Sequence, residues 1–208
     1  MDELDKLTCK IKSCRICLDH PEYQPPLPIE PKPIIWFSRT AKIAISGQAP
    51  GLKVYQTGIP FNDPSGNRLR DWLDISRETF YDQNNFAIIP MGFCFPGYDK
   101  HGSDLPPRRE CANHWHENVF KTMKQIDLIL AVGQYAQKWH IQTHKYTNMT
   151  ETVFNWKEII KQKQPRGYFV LPLPHPSWRN TSWIKKNPWF EDELLPYLKT
   201  LVKQKLNN

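Results

Sequence analysis

The chain of 208 residues contains no run of 18 apolar residues, and no basic stretch leading into a short apolar segment near its start. These absences argue against a membrane span or an export signal. The expectation is a soluble, cytoplasmic protein whose thiols stay reduced. The sequence also lacks a Gly-x4-Gly-Lys phosphate loop, a Gly-x-Gly-x2-Gly fingerprint and a His-x-Glu…Cys-x2-Cys deaminase signature. The corresponding nucleotide-cofactor and zinc-deaminase sites are therefore not expected. Histidine-based metal sites fare no better. His114 and His116 are two apart on an expected helix and point to different sides. His140 and His144 have no carboxylate or histidine at matching spacing. There is no internal repeat and no low-complexity tract.

What is present is more pointed. The formal charge is +7, which suggests a polyanionic partner, although solvated lysine faces produce the same number. Nineteen prolines place rigid loops between regular elements, and those from Pro21 to Pro33 mark an extended arm wrapping the domain. Four of the five cysteines fall as Cys14-x2-Cys17, then 76 residues, then Cys94-x16-Cys111, with Cys9 outside the pattern. A close pair and a wider pair can gather four thiolates around an iron–sulfur cluster or a zinc ion. The bland alternative is a set of reduced, buried cysteines.

The coarse pattern alternates. A helix is expected over 3–17, strands over 42–46, 86–91, 128–132 and 168–173, and helices over 64–73, 107–126, 134–141, 151–160 and 189–204. Apolar strands alternating with helices predict one α/β domain spanning 1–208. It has three layers (α/β/α), a central, mainly parallel four-stranded sheet, and a cysteine-bearing arm over 1–33. Ligands bind such sheets beyond the carboxyl ends of the strands. The unusual loops all sit there: Gly47 to Gly51, the loop with Cys94, Gly133 to Tyr135, and His175 to Asn180.

Three of these segments carry a resemblance. Gly47-Gln48-Ala49-Pro50-Gly51, Gly58-Ile59-Pro60-Phe61-Asn62-Asp63-Pro64-Ser65-Gly66 and His175-Pro176-Ser177-Trp178-Arg179-Asn180 resemble, in order, the signature segments of the uracil-DNA glycosylase superfamily. The cysteine spacing resembles its iron–sulfur branches, the fourth and fifth families. That resemblance implies a [4Fe–4S] cluster on Cys14, Cys17, Cys94 and Cys111, with zinc as the alternative. It implies a DNA partner, a monomer, and removal of uracil and other deaminated bases after base flipping.

The resemblance also distributes roles, each with a plainer alternative. His175, held between two prolines, would stabilise the leaving base as negative charge develops on it; otherwise it satisfies loop backbone. Asp63 would orient water or stabilise the sugar cation; otherwise it caps the following helix, with Pro64 at the first helical position. Phe61 would be the floor on which the base stacks, or plain core. Gly47, Gln48 and Ala49 would line the base pocket, and Asn62 beside it is a candidate reader of the base edge. Ser65, Ser177, Trp178, Arg179 and Asn180 would grip and wedge the DNA strand. Lys157, Lys161, Lys163, Arg166, Lys185 and Lys186 are candidates for tracking its backbone, as are Lys100, Arg108 and Arg109 between the later cysteines.

Two departures matter. Gln48 stands where the fourth family usually has a glutamate, and Pro90 where it has the asparagine that reads uracil. They keep a second account open, a non-catalytic iron–sulfur protein that binds damaged or single-stranded DNA.

Overall fold

A computed structural model describes residues 1–142 and 145–207; His144 lies outside them. Strands β1 (Ile43–Ser46), β2 (Phe86–Ile88), β3 (Leu128–Val132) and β4 (Phe169–Leu173) form a sheet in the order β2-β1-β3-β4, parallel throughout. The chain moves outward from β1 to β2, then crosses back to β3 on the other side. The sheet therefore reverses direction between β1 and β3, the kind of position where such sheets bind ligands. Among the described residues, no helix is long and apolar enough to cross a membrane.

Side chains alternate across a strand, so each strand feeds two cores. Ala44, Ala87, Ile129 and Val170 pack on one face with the helix Glu3–Lys12 and the segment around Phe120. Ile43, Ile45, Leu130 and Leu171 pack on the other with the helices Pro64–Leu73 and Leu195–Leu206. All four strands are almost wholly buried, as expected of a parallel sheet covered on both faces. The proline-rich arm covers the edge of β2. Trp36 and Ile88 exchange backbone hydrogen bonds of 3.0 and 2.7 Å, and the Ile34 N–H donates to Phe93 at 2.7 Å. An open edge is thus closed by a segment too rich in proline to form a strand.

Some boundaries differ from the sequence pattern for local reasons. The first helix stops at Lys12, and a second turn, Ile16–Asp19, begins after Cys14. This break lets Cys14 and Cys17 turn toward the body. The helix expected over 107–126 starts at Arg109 and contains a π-helical turn, Ala112–His116, before Glu117–Thr122. The extra residue in that turn swings His116 fully into the core, while His114 pairs with Glu22 at the surface. Short helices at Leu52–Thr57 and Arg77–Tyr81 have too few residues to show a periodic pattern.

His116 and His140 are both fully buried. Burial lowers the His116 imidazole from 6.5 to about 4 and holds His140 well below its ordinary value. The unfolded chain therefore binds protons near pH 6.5 that the folded chain refuses. Stability is complete above pH 6.5 and falls as pH drops toward 4, by about 3 kcal/mol for His116 alone. Thermal melting between pH 4 and 8 should show a plateau above neutrality and a decline on the acid side. A melting temperature flat down to pH 4.5 would contradict neutral burial of these rings.

Candidate active site and cysteine centre

The loop Gly47–Gly51 leaves the end of β1 and is pinned from β2. The Met91 and Gly92 N–H groups donate to the Gly47 and Gln48 carbonyls, each at 2.9 Å. Among the described residues, the Gln48 and Ala49 N–H groups donate to no protein acceptor. Both residues line a cavity beyond the carboxyl ends of β1 and β2, with Gly47, Phe61, Asp63, Ser65, Pro90 and His175. Every residue assigned from sequence to catalysis or to the base pocket, except Asn62, reaches this one space. The Asn62 side chain instead accepts a 3.0 Å hydrogen bond from Arg77, so the proposed reader of the base edge is directed elsewhere.

The floor of the cavity has an unusual backbone. Phe61 has φ of +53°, a left-handed conformation uncommon for residues with a side chain. Its ring stands edge-on to buried Phe80, with centroids 6.0 Å apart. Its carbonyl lies against Gly66 so closely that a Cβ there would stand 2.6 Å from the Phe61 carbonyl carbon. Gly66 is therefore a close-approach glycine. It lets the helix Pro64–Leu73 dock directly under Phe61.

Asp63 caps that helix, with Oδ1 accepting from the Gly66 N–H at 2.8 Å. Its Oδ2 has no protein partner among the described residues, and the side chain lines the cavity. Capping and facing the pocket are thus compatible, because the two oxygens divide the work.

His175 enters from the loop after β4. Its backbone is fixed by Asn180, whose Nδ2 donates to the His175 carbonyl at 2.7 Å, and Gly133 packs behind its Cβ. Neither ring nitrogen has a protein partner among the described residues. Burial lowers its pKa, with the Asp63 carboxylate opposing in part. The ring is therefore neutral at pH 7, a hydrogen-bond donor that carries no charge.

A shallower groove adjoins the cavity and is lined by Gln48, Ala49, His175, Ser177, Arg179 and Asn180. Ser177 caps the short helix Trp178–Asn180, and its carbonyl accepts from Arg68 at 3.0 Å. Trp178 is 75% exposed at the tip, where a wedge would stand. Arg179 donates to Ser103 at 3.2 Å across the groove. Asp104, which no sequence pattern singles out, also faces this groove.

The basic residues divide. Lys157 pairs with Glu193, Arg166 with Glu117, and Lys163 with Asp127, which precedes β3. Asp127 marks the amino ends of the strands, so the Lys163 pair lies across the sheet from the pocket. Arg108 is not free for phosphate either, since it is bonded to Glu110 and to the Tyr23 and Pro25 carbonyls.

Cys14, Cys17, Cys94 and Cys111 line a second, narrow pocket with Leu27, Pro31, Pro33 and Phe93. Cys9 is exposed and outside it. The Phe93 N–H donates to the Cys111 sulfur at 3.5 Å. Burial pushes the Cys94 thiol up to about 12. Thiolates in such an apolar shell need positive charge among them, and the donor set suits a soft metal centre. Among the described residues, no three potential ligands are arranged to hold a single metal ion.

Wild-type SMUG2 of Pedobacter heparinus, a solved structure, aligns at 15% identity over 78% of this chain and 76% of that chain, with a TM-score of 0.44. The family model for the uracil DNA glycosylase superfamily matches residues 35–199. That span holds all four strands and every pocket residue but Ile34, and neither Cys14 nor Cys17. With most of its length matched, the chain belongs to the uracil DNA glycosylase superfamily, the DNA glycosylases that remove uracil and other damaged bases.

Proposed function

We propose that this chain is a monofunctional glycosylase that hydrolyses the N-glycosidic bond of uracil and of other deaminated bases in DNA, leaving an abasic site. The observation that carries this reading is the convergence of Asp63, His175 and Phe61 on one cavity with the open Gln48 and Ala49 amides.

The chemistry follows from those groups. The base has to leave the duplex stack to reach the pocket, where it lies on the Phe61 ring. Deamination replaces an exocyclic amino donor with a carbonyl acceptor. N–H donors along one wall therefore accept deaminated bases and reject the parent cytosine, adenine and guanine. This selects a class of bases, and Pro90 offers no side-chain amide to narrow it further. As the C1′–N bond breaks, its electron pair moves onto the base. The neutral His175 imidazole donates a hydrogen bond to the base carbonyl where that charge collects. The free oxygen of Asp63 faces the sugar, stabilises the developing cation and accepts the proton of the water that bonds to C1′.

We assign the four cysteines to a [4Fe–4S] cluster in preference to zinc. Four thiolates in an apolar shell are the donor set of such a cluster, and the iron and sulfide content decides between it and zinc. Cys14, Cys17, Cys94 and Cys111 would hold the cluster, which would compensate the thiolate charge and tie the arm to the segment Phe93–Cys111. It supplies no electron to the hydrolysis. On this reading the chain would join the iron–sulfur branches of the superfamily.

Oligonucleotides carrying uracil, hypoxanthine or xanthine should all lose the base, and oligonucleotides carrying only cytosine, adenine and guanine should lose none. The same preparation should contain iron and acid-labile sulfide in equal amounts. Excision of uracil alone would contradict selection by backbone donors, and zinc without sulfide would contradict the cluster.

A further inference from the structure

A groove runs between the proline-rich arm and the segment from Pro96 to Glu110. It shares Pro96 with the shallow groove at the pocket mouth, and the Gln48 side chain donates to the Leu105 carbonyl in its wall at 3.3 Å. Nothing in the excision chemistry uses it.

Two tyrosines face this groove. Tyr98 is 48% exposed, yet its ring is set edge-on to the buried Phe95 ring at 5.1 Å, so a core residue fixes its position. Tyr23 is 38% exposed, with the Arg109 guanidinium 5.4 Å above its ring. The wall beneath Tyr23 is built on an ion pair between Glu110, 1% exposed, and Arg108. Arg108 also donates to the Tyr23 and Pro25 carbonyls at 2.5 and 2.7 Å, and the Tyr23 N–H donates to Glu110 at 3.3 Å. Glu110 is thereby neutralised, and Arg109 is left as the cation on the groove. Fixed aromatic faces with a neighbouring arginine make a stacking platform for single-stranded nucleic acid.

We propose that this groove holds the single-stranded nucleotides next to the extruded one, with bases stacked on Tyr98 and Tyr23 and a phosphate on Arg109. The proposal rests on DNA being the substrate, but not on the excision chemistry. It makes the protein favour strands free to splay over closed duplex. A proline-rich peptide would also suit apolar, proline-lined walls. The shared Pro96 wall, the Gln48 bond to Leu105 and the cation beside Tyr23 favour nucleotides.

The test measures binding and does not depend on catalysis. Fluorescence anisotropy would be recorded with labelled oligothymidine of 4 and of 15 nucleotides, using the full chain with its cysteine centre loaded. Tyr98→Ala and Tyr23→Ala should each weaken the 15-mer about tenfold and leave the 4-mer unchanged. Tyr98→Phe should restore the 15-mer affinity. Arg109→Gln should weaken the 15-mer and flatten its salt dependence by roughly one phosphate contact. Unchanged 15-mer affinity in the tyrosine variants, with melting curves like the parent's, would overturn the proposal. So would an equal loss on both lengths, or displacement of the 15-mer by a proline-rich peptide with no effect of the Arg109 change. If no base is excised but the tyrosine effects appear, the groove stands and the glycosylase reading fails.

Discussion

Asp63→Asn is expected to lower kcat on a uracil oligonucleotide by about 10³-fold while leaving DNA affinity and melting temperature close to the parent's. The asparagine keeps an oxygen for the Gly66 N–H, and Asn caps helices as well as Asp does. Only the negative charge facing the sugar is lost. Asp63→Ala removes both functions and should add about 1 kcal/mol of destabilisation to the same kinetic loss. The comparison separates cap from catalyst. Equal kcat in the asparagine variant, measured under single turnover, would reduce Asp63 to its capping role.

Gly66→Ala should be the most damaging single methyl in the chain. Its Cβ would fall inside the contact distance of the Phe61 carbonyl oxygen and stand 2.8 Å from the Phe61 Cβ. Relief requires Phe61 to move, and Phe61 already holds a left-handed conformation at the pocket floor. Overpacking of this kind costs about 1–3 kcal/mol or more, and the movement should lower kcat/KM at least 10²-fold. The sign makes the test sharp. Helix propensity alone favours alanine over glycine by about 1 kcal/mol. A variant that melts higher than the parent and excises normally would show that the helix does not approach Phe61 as described.

Much of this fold was legible because its signals are local. Leu128–Val132 is five apolar residues ending at a glycine, and Asp63-Pro64-Ser65 announces a helix at its first residue. The pocket was legible as ordered segments, since the chain places Gly47–Gly51, Phe61–Gly66 and His175 on separate loops that a parallel sheet brings to one rim. Long-range partnerships left no trace in the pattern. Asn62 is adjacent to Phe61 and Asp63, but its side chain bonds to Arg77, fifteen residues on. Lys163 and Arg166 follow a loop at the far end of the sheet, and only the ion pairs with Asp127 and Glu117 reveal it. Asp104 faces the pocket mouth because a turn stabilised by Asp99 folds back there; nothing in Ser103-Asp104-Leu105 marks that. The π-helical turn before His116 had no sequence signal, because one extra residue in a turn changes which face is buried without changing composition.

The most direct measurement is release of free base from a single-stranded oligonucleotide containing one uracil, incubated with protein purified with its cysteine centre intact. The account expects free uracil in amounts matching the DNA, with the strand unbroken until alkali cleaves it at the abasic site. DNA that binds and dissociates with its uracil still attached would contradict the account. The convergence of Asp63, His175 and Phe61 would then serve recognition alone.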